Sequence, residues 1–117
     1  YVDSIHQQIM FAEKSWGSFR VLDVEDASMT IKITLTPGHG MNYHSHENRD
    51  EVWTVISGTG HAILDGVRRD VKAGDILTMP AGCRHTVGAD SELKIIEVQV
   101  GPAISVEDKQ KYPLPQA

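Results

Sequence analysis

Four side chains have the types and spacing to hold a metal ion: His44, His46, Glu51 and His85. His44 and His46 are two positions apart, so on a strand, where side chains alternate, both imidazoles leave the same face. Glu51 follows a few residues later, and His85 ends a second run that passes through Gly74, Pro80 and Gly82. Three imidazoles and a carboxylate make a mixed nitrogen and oxygen donor set, which suits one borderline divalent ion. Zinc, manganese, iron and nickel all accept such a set. Four protein ligands without a thiolate leave a place for water or substrate on a metal that takes five or six ligands. Catalytic sites differ from closed structural ones in this way.

The same residues carry a family resemblance. Gly38, five residues, His44-x-His46, four residues, Glu51, six residues and Gly58 reproduce the first motif of the cupin superfamily. Gly74, five residues, Pro80-x-Gly82, two residues and His85 reproduce the second, except that Ala89 stands where the family has asparagine. The resemblance implies an all-β double-stranded β-helix, a small jelly-roll barrel, with those three histidines and Glu51 as the metal ligands. It also narrows to one branch. Trp16-Gly17-Ser18-Phe19, Glu51-x-Trp53, Val55, Ser57-Gly58-Thr59 and Ile96 through Pro102 resemble the C-terminal cupin of type II mannose-6-phosphate isomerases, over residues 14 to 108. In that family the domain is often fused behind a mannose-1-phosphate guanylyltransferase. The implied activity is an aldose–ketose isomerisation between mannose 6-phosphate and fructose 6-phosphate with a divalent metal. Departures from the branch cluster around the ligands: Lys14-Ser15 replace Arg-Pro, Asn42 replaces glutamine and Thr86 replaces arginine. Glu47, Asn48, Arg49 and Asp50 separate His46 from Glu51 where the branch has two residues.

Moving a carbonyl between adjacent sugar carbons needs a Lewis acid on the oxygens and a base that shuttles one proton. Glu97 and Glu47 are the candidate bases, and Glu97 comes first because a strand from Leu93 to Val100 presents alternate residues to a barrel interior. Arg49, Arg84 and Lys94 are the cations able to hold a phosphate. Two other functions use the same ligand set: a metal-dependent cupin dioxygenase and a non-catalytic sugar or effector-binding module. His6, His39 and His61 read as turn or surface residues, Trp16 and Trp53 as packing, and Cys83 as a small loop residue. Tyr43 alternates away from the ligand face and reads as structural.

Strands must position these groups. Met29, Ile31, Ile33 and Leu35 share one face while Thr30, Lys32 and Thr34 share the other, the alternation of a half-buried strand. Further β-rich runs are Ser18 to Val24, Asn42 to His46, Glu51 to Ser57, His61 to Leu64, Val67 to Lys72, Ile76 to Met79, His85 to Gly88 and Leu93 to Val100. Asp65-Gly66 is a two-residue hairpin signal, and breakers recur at the close intervals of an all-β sandwich or barrel. The pattern predicts one cupin domain over residues 1–117: an N-terminal arm or added edge strand over 1–15, a barrel over 16–101 and a tail over 102–117. In the tail, Ser105 is expected to cap one helical turn through Lys109 or Tyr112 before Pro113 and Pro115 end it.

A chain of 117 residues is long enough for one proper core. Its 16 acidic and 11 basic residues give a net charge of −5, with no basic field for nucleic acid or an anionic membrane. No apolar run reaches the roughly 18 residues that a spanning helix needs. A single cysteine excludes an intrachain disulfide, and a reducing cytoplasm is the default setting. The open edges of a two-sheet jelly roll predict a twofold homodimer, with a sugar phosphate as the small-molecule partner.

Overall fold

In the computed structural model, residues 10–105 and 107–115 are described. They form eleven strands and, among the described residues, no helix, so none is long and apolar enough to cross a membrane. The strands are β1 (Phe11–Lys14), β2 (Gly17–Val24), β3 (Ser28–Leu35), β4 (Tyr43–Ser45), β5 (Asp50–Ser57) and β6 (Thr59–Leu64). They continue as β7 (Val67–Lys72), β8 (Ile76–Met79), β9 (His85–Ala89), β10 (Leu93–Val100) and β11 (Gln110–Tyr112). One antiparallel sheet has the order β1-β2-β3-β10-β5-β8, and the second has the order β11-β4-β9-β6-β7. Two such sheets, linked by crossing connections, make the double-stranded β-helix expected from the sequence.

Period-two alternation decides what each strand sends inward. On β3, Met29, Ile31, Ile33 and Leu35 are buried, and on β10 the inward set is Leu93, Ile95, Glu97 and Gln99. The register aligns these sets: Leu93 lies opposite Leu35, and Ile95 lies opposite both Ile33 and Val55. Each of these aliphatic side chains contributes roughly 1.5–3 kcal/mol by leaving water. The next inward positions pair Glu97 with Trp53 and Gln99 with Glu51. The same face therefore turns from apolar to polar along one strand.

Two turns set this register. The β6–β7 hairpin has positive φ at both central residues, Asp65 (47°) and Gly66 (83°), the turn whose twist matches that of the strands it joins. Between β5 and β6 the chain changes sheets at Gly58, where φ is 90° and a Cβ would lie 2.0 Å from the Glu92 carbonyl oxygen. Only glycine fits there, which gives the motif glycine a physical reason.

The chain ends differ from the sequence reading in one respect. Phe11–Lys14 forms the added edge strand, paired with β2 from Phe11 opposite Arg20 to Lys14 opposite Gly17. The rest of the expected arm, residues 1–9, lies outside the described residues. The expected C-terminal helical turn is not a helix. Ser105 does start a turn, accepting the Glu107 N–H on Oγ (3.1 Å) and the Asp108 N–H on its carbonyl (3.2 Å). The chain then extends, because Gln110, Lys111 and Tyr112 pair with Ser45, His44 and Tyr43 of β4. The Tyr112 hydroxyl lies 2.8 Å from Ser45 Oγ, and Arg84 stacks 3.9 Å over its ring. These non-local contacts override the local cap.

Candidate metal centre

Three strands and one strand end converge on the ligands. His44 of β4 and His85 of β9 are direct cross-strand partners, and His46 follows β4 on the same parity. Glu51 enters from β5 in the opposite sheet. The imidazole centroids are 4.3 Å apart for His44 and His85, 4.8 Å for His44 and His46, and 5.3 Å for His46 and His85. One ring nitrogen from each lies within 4.8 Å of the others. The Glu51 carboxylate reaches two of them, with Oε1 3.2 Å from His85 Nε2 and Oε2 3.2 Å from His46 Nε2. All four side chains are 5% exposed or less.

The backbone fixes the orientation of every imidazole. His44 Nδ1 donates to the Asn42 carbonyl (2.6 Å), His46 Nδ1 to the Asp108 carbonyl (2.6 Å) and His85 Nδ1 to the Cys83 carbonyl (2.9 Å). A carbonyl can only accept, so each Nδ1 carries the proton and each Nε2 is left with a lone pair. Glu51 Oε1 and His85 Nε2 are buried, face one another and have no hydrogen-bond partner. Two buried acceptors turned toward each other are costly unless a cation sits against both.

For His44, His46 and Glu51 the electrostatics point the same way. Burial, then the neighbouring His85, pushes the His44 pKa down to about 3. Burial also lowers that of His46. Burial opposes ionisation of Glu51, but its close neighbours His85, His46 and Arg49 outweigh it and hold the carboxyl at about 2. Neutral imidazoles with an ionised carboxylate are what a divalent ion requires of its ligands. His44, His46, Glu51 and His85 therefore fit such an ion.

The other candidate residues separate by location. Arg49 is bonded into the centre: Nε donates to Glu51 Oε2 (2.9 Å), Nη2 lies 3.1 Å from His46 Nε2, and Nη1 donates to the Ser105 carbonyl (3.1 Å). Glu97 is buried, accepting from Trp53 Nε1 (2.5 Å) and Gln99 Nε2 (2.7 Å). Burial, then the charge of Glu51, raises its pKa to about 8. The Trp53 ring stands edge-on 5.3 Å from His85, so one indole separates Glu97 from a ligand. Glu47 is exposed, with its backbone N–H donating to Asp108 Oδ1. Arg84 is exposed beside Tyr112. Lys94 lies on the outward parity of β10, 3.7 Å from Glu92, and is not brought to the ligands.

The residues read as structural are placed as follows. Trp53 is fully buried, and Tyr43 accepts the Gly66 N–H on its hydroxyl (3.0 Å). His39 is exposed, His61 lies 3.4 Å from Asp90, and His6 lies outside the described residues. Trp16 packs at the rim of the core, as does Cys83, whose thiol burial and Asp65 push up to about 11. Sequence reasoning missed Asp108 and Gln99. Gln99 shares the inward parity of Glu97 and was open to the same argument, whereas Asp108 acts on His46 from 62 positions away with no local signal.

Comparison with known proteins agrees with this geometry. The Cupin domain family matches residues 31–99, a stretch that contains all four candidate ligands. The chain is 27% identical over 101 residues to the alginate biosynthesis protein AlgA of Pseudomonas putida, covering 85% of this chain and 21% of that protein. It is 24% identical over 97 residues to a mannose-1-phosphate guanylyltransferase of Klebsiella pneumoniae, covering 81% and 21%. It thus spans about a fifth of the length of these curated relatives. Oxalate decarboxylase of Bacillus subtilis superposes with a TM-score of 0.77 at 20% identity, over 86% of this chain and 29% of that one, a likeness of fold. With the family match extending over more than half of the 117 residues, the chain belongs to the cupin domain family.

Proposed function

We propose that this cupin is a sugar-phosphate aldose–ketose isomerase of the mannose-6-phosphate isomerase kind, with one divalent metal held by His44, His46, Glu51 and His85. The observation that carries the reading is the placement of Glu97: a buried carboxyl bonded to Trp53, one indole ring away from a metal-type donor set, with its pKa pushed up by burial and by Glu51. A relative named for a mannose phosphate, of which this chain matches about a fifth, supports the substrate class.

When bound, the metal would polarise the sugar oxygens as a Lewis acid. The chain supplies the rest. Glu97 sits near the operating pH, where a group gives and takes a proton with comparable ease. Its bonds to Trp53 and Gln99 fix the carboxyl plane. Arg49 balances the charge of Glu51, and burial of the four ligands keeps bulk water from the reacting carbons. Arg84, exposed beside the C-terminal strand, is assigned to the phosphate in place of Lys94, which faces outward. Glu47, exposed on the loop after His46, is the second candidate base.

Mannose 6-phosphate incubated with the metal-loaded protein in deuterated water should give fructose 6-phosphate and gain deuterium beside the carbonyl. A chelator should abolish both signals, and Glu97→Gln should slow them about a hundredfold to ten-thousandfold. Neither product nor deuterium with fully metallated protein would contradict the reading. The burial of all four ligands favours one other function, a cupin dioxygenase acting through a small diatomic substrate, which oxygen uptake with a redox metal would reveal.

The proposal includes a twofold homodimer in a cytoplasmic setting. Ile56, Ile76 and Val100 are exposed on the outward side of the six-stranded sheet, a surface suited to a second copy. A sedimentation mass of 12.9 kDa at all micromolar concentrations would rule the dimer out.

A further inference from the structure

The family match ends at residue 99, yet the ligands are held from beyond it. Asp108 accepts the His46 Nδ1–H on its backbone carbonyl at 2.6 Å. Its carboxylate accepts two successive loop amides, Glu47 N–H on Oδ1 and Asn48 N–H on Oδ2, both at 2.8 Å. Ser105 accepts from Arg49 at 3.1 Å, and Arg49 in turn holds Glu51 Oε2 at 2.9 Å. Past Asp108, β11 lies along β4 with Lys111 opposite His44. Three of the four ligands thus touch this segment directly or through one residue. His44 and His85 each give the Nδ1–H to a carbonyl two residues back, that of Asn42 and of Cys83, and among the histidines His46 donates into the segment.

The loop clamped by Asp108 is the one that is longer than in the resembling branch, Glu47 through Asp50 between His46 and Glu51. A longer loop costs more to order. Here two of its amides are bonded to a carboxylate from the C-terminal segment, and its arginine is bonded to both that segment and a ligand. The loop that is longer than in the resembling branch and the segment after residue 99 meet each other at the metal centre.

We propose that Ser105 and the stretch Asp108–Tyr112 act as a strap that positions the metal ligands, with Asp108 as its chief positioning residue, so that this cupin's metal affinity is set in part from outside the cupin match. The proposal rests on the metal reading of the four ligands and is independent of the reaction. Groups that orient a ligand from behind typically alter metal affinity about tenfold to a hundredfold.

The test uses the full chain, with cobalt(II) titrated against a competing chelator. Asp108→Ala should weaken binding about tenfold, and Asp108→Ala combined with Tyr112→Ala about a hundredfold, while Asp108→Asn, which can still cap one amide, should recover part of the loss. In metal-free protein, nitrogen NMR should show the Nδ1-protonated form of His46 giving way to a mixture of tautomers in the double variant, with His85 unchanged. A strap that merely stabilises the barrel would lower the melting temperature without singling out His46. Unaltered cobalt affinity in folded Asp108→Ala, or equal changes at His46 and His85, would overturn the proposal. If the double variant does not fold, the single variant decides by the same measures. Failure of the unsubstituted chain to take up cobalt would instead remove the ligand reading itself, and the strap with it.

Discussion

Along β10, Leu93 and Ile95 meet Leu35, Ile33 and Val55, while two residues further the same face carries Glu97 and Gln99 against Trp53 and Glu51. The barrel interior therefore has an apolar half and a polar half of nearly equal burial, built on the same strands with the same alternation. Burial alone does not separate core from site. In the apolar half each side chain is interchangeable in kind, since removal from water depends on area rather than direction. In the polar half each group has a specified partner. His44, His46 and His85 each give one N–H to a carbonyl, and Glu97 accepts from Trp53 and Gln99. Buried polar groups contribute little net stability even when satisfied, so this half adds less to folding than the apolar one.

The comparison predicts opposite outcomes for substitutions a few ångströms apart, beginning with the largest effect. Ile95→Ala should cost about 2–5 kcal/mol of folding stability in denaturant unfolding, because it opens a cavity among fully buried neighbours. The variant should still bind metal. His85→Ala and His46→Ala should reverse this, losing metal on dialysis while the metal-free melting temperature falls much less than in Ile95→Ala. Retention of metal in both histidine variants would break the division into halves.

Titration sharpens it further in metal-free protein. The His44 pKa is lowered from 6.5 to about 3, so the unfolded chain binds the proton more readily. Stability from this group is full above pH 6.5 and is lost as pH falls toward 3. Glu97 has the opposite sign. Its pKa is raised from 4.5 to about 8, so its contribution is full below 4.5 and is lost as pH rises to 8. Thermal melts of Glu97→Gln should therefore gain on the unsubstituted protein steadily from pH 5 to pH 8, the smallest of these effects. A difference independent of pH would mean that Glu97 is ionised throughout.

Much of the apolar half was legible in the sequence because its signals are local. Alternation over Met29 to Leu35 and the Asp65-Gly66 turn each require only a handful of adjacent residues to be read. The proximity of the four candidate ligands was legible for a related reason, since spacing within a strand fixes facing, and the structure brings these side chains together. The parity that turns Glu97 inward also turns Lys94 outward, a difference that the sequence already carried. What sequence could not supply were partners made by long-range pairing. The Ser105 cap suggested a helix because nothing nearby announces that Gln110–Tyr112 will find β4. Arg49 looked like a free cation because its bonds to Glu51 and Ser105 exist only after the loop and tail meet.

The central claim, that the polar half is a metal centre, is tested most directly by anomalous diffraction at the metal edge from crystals loaded with zinc or manganese. One peak is predicted inside the barrel, about 2.0–2.2 Å from Nε2 of His44, His46 and His85 and from a Glu51 oxygen, with every Nδ1 still on its carbonyl. A peak elsewhere, or ligation through Nδ1, would contradict the account.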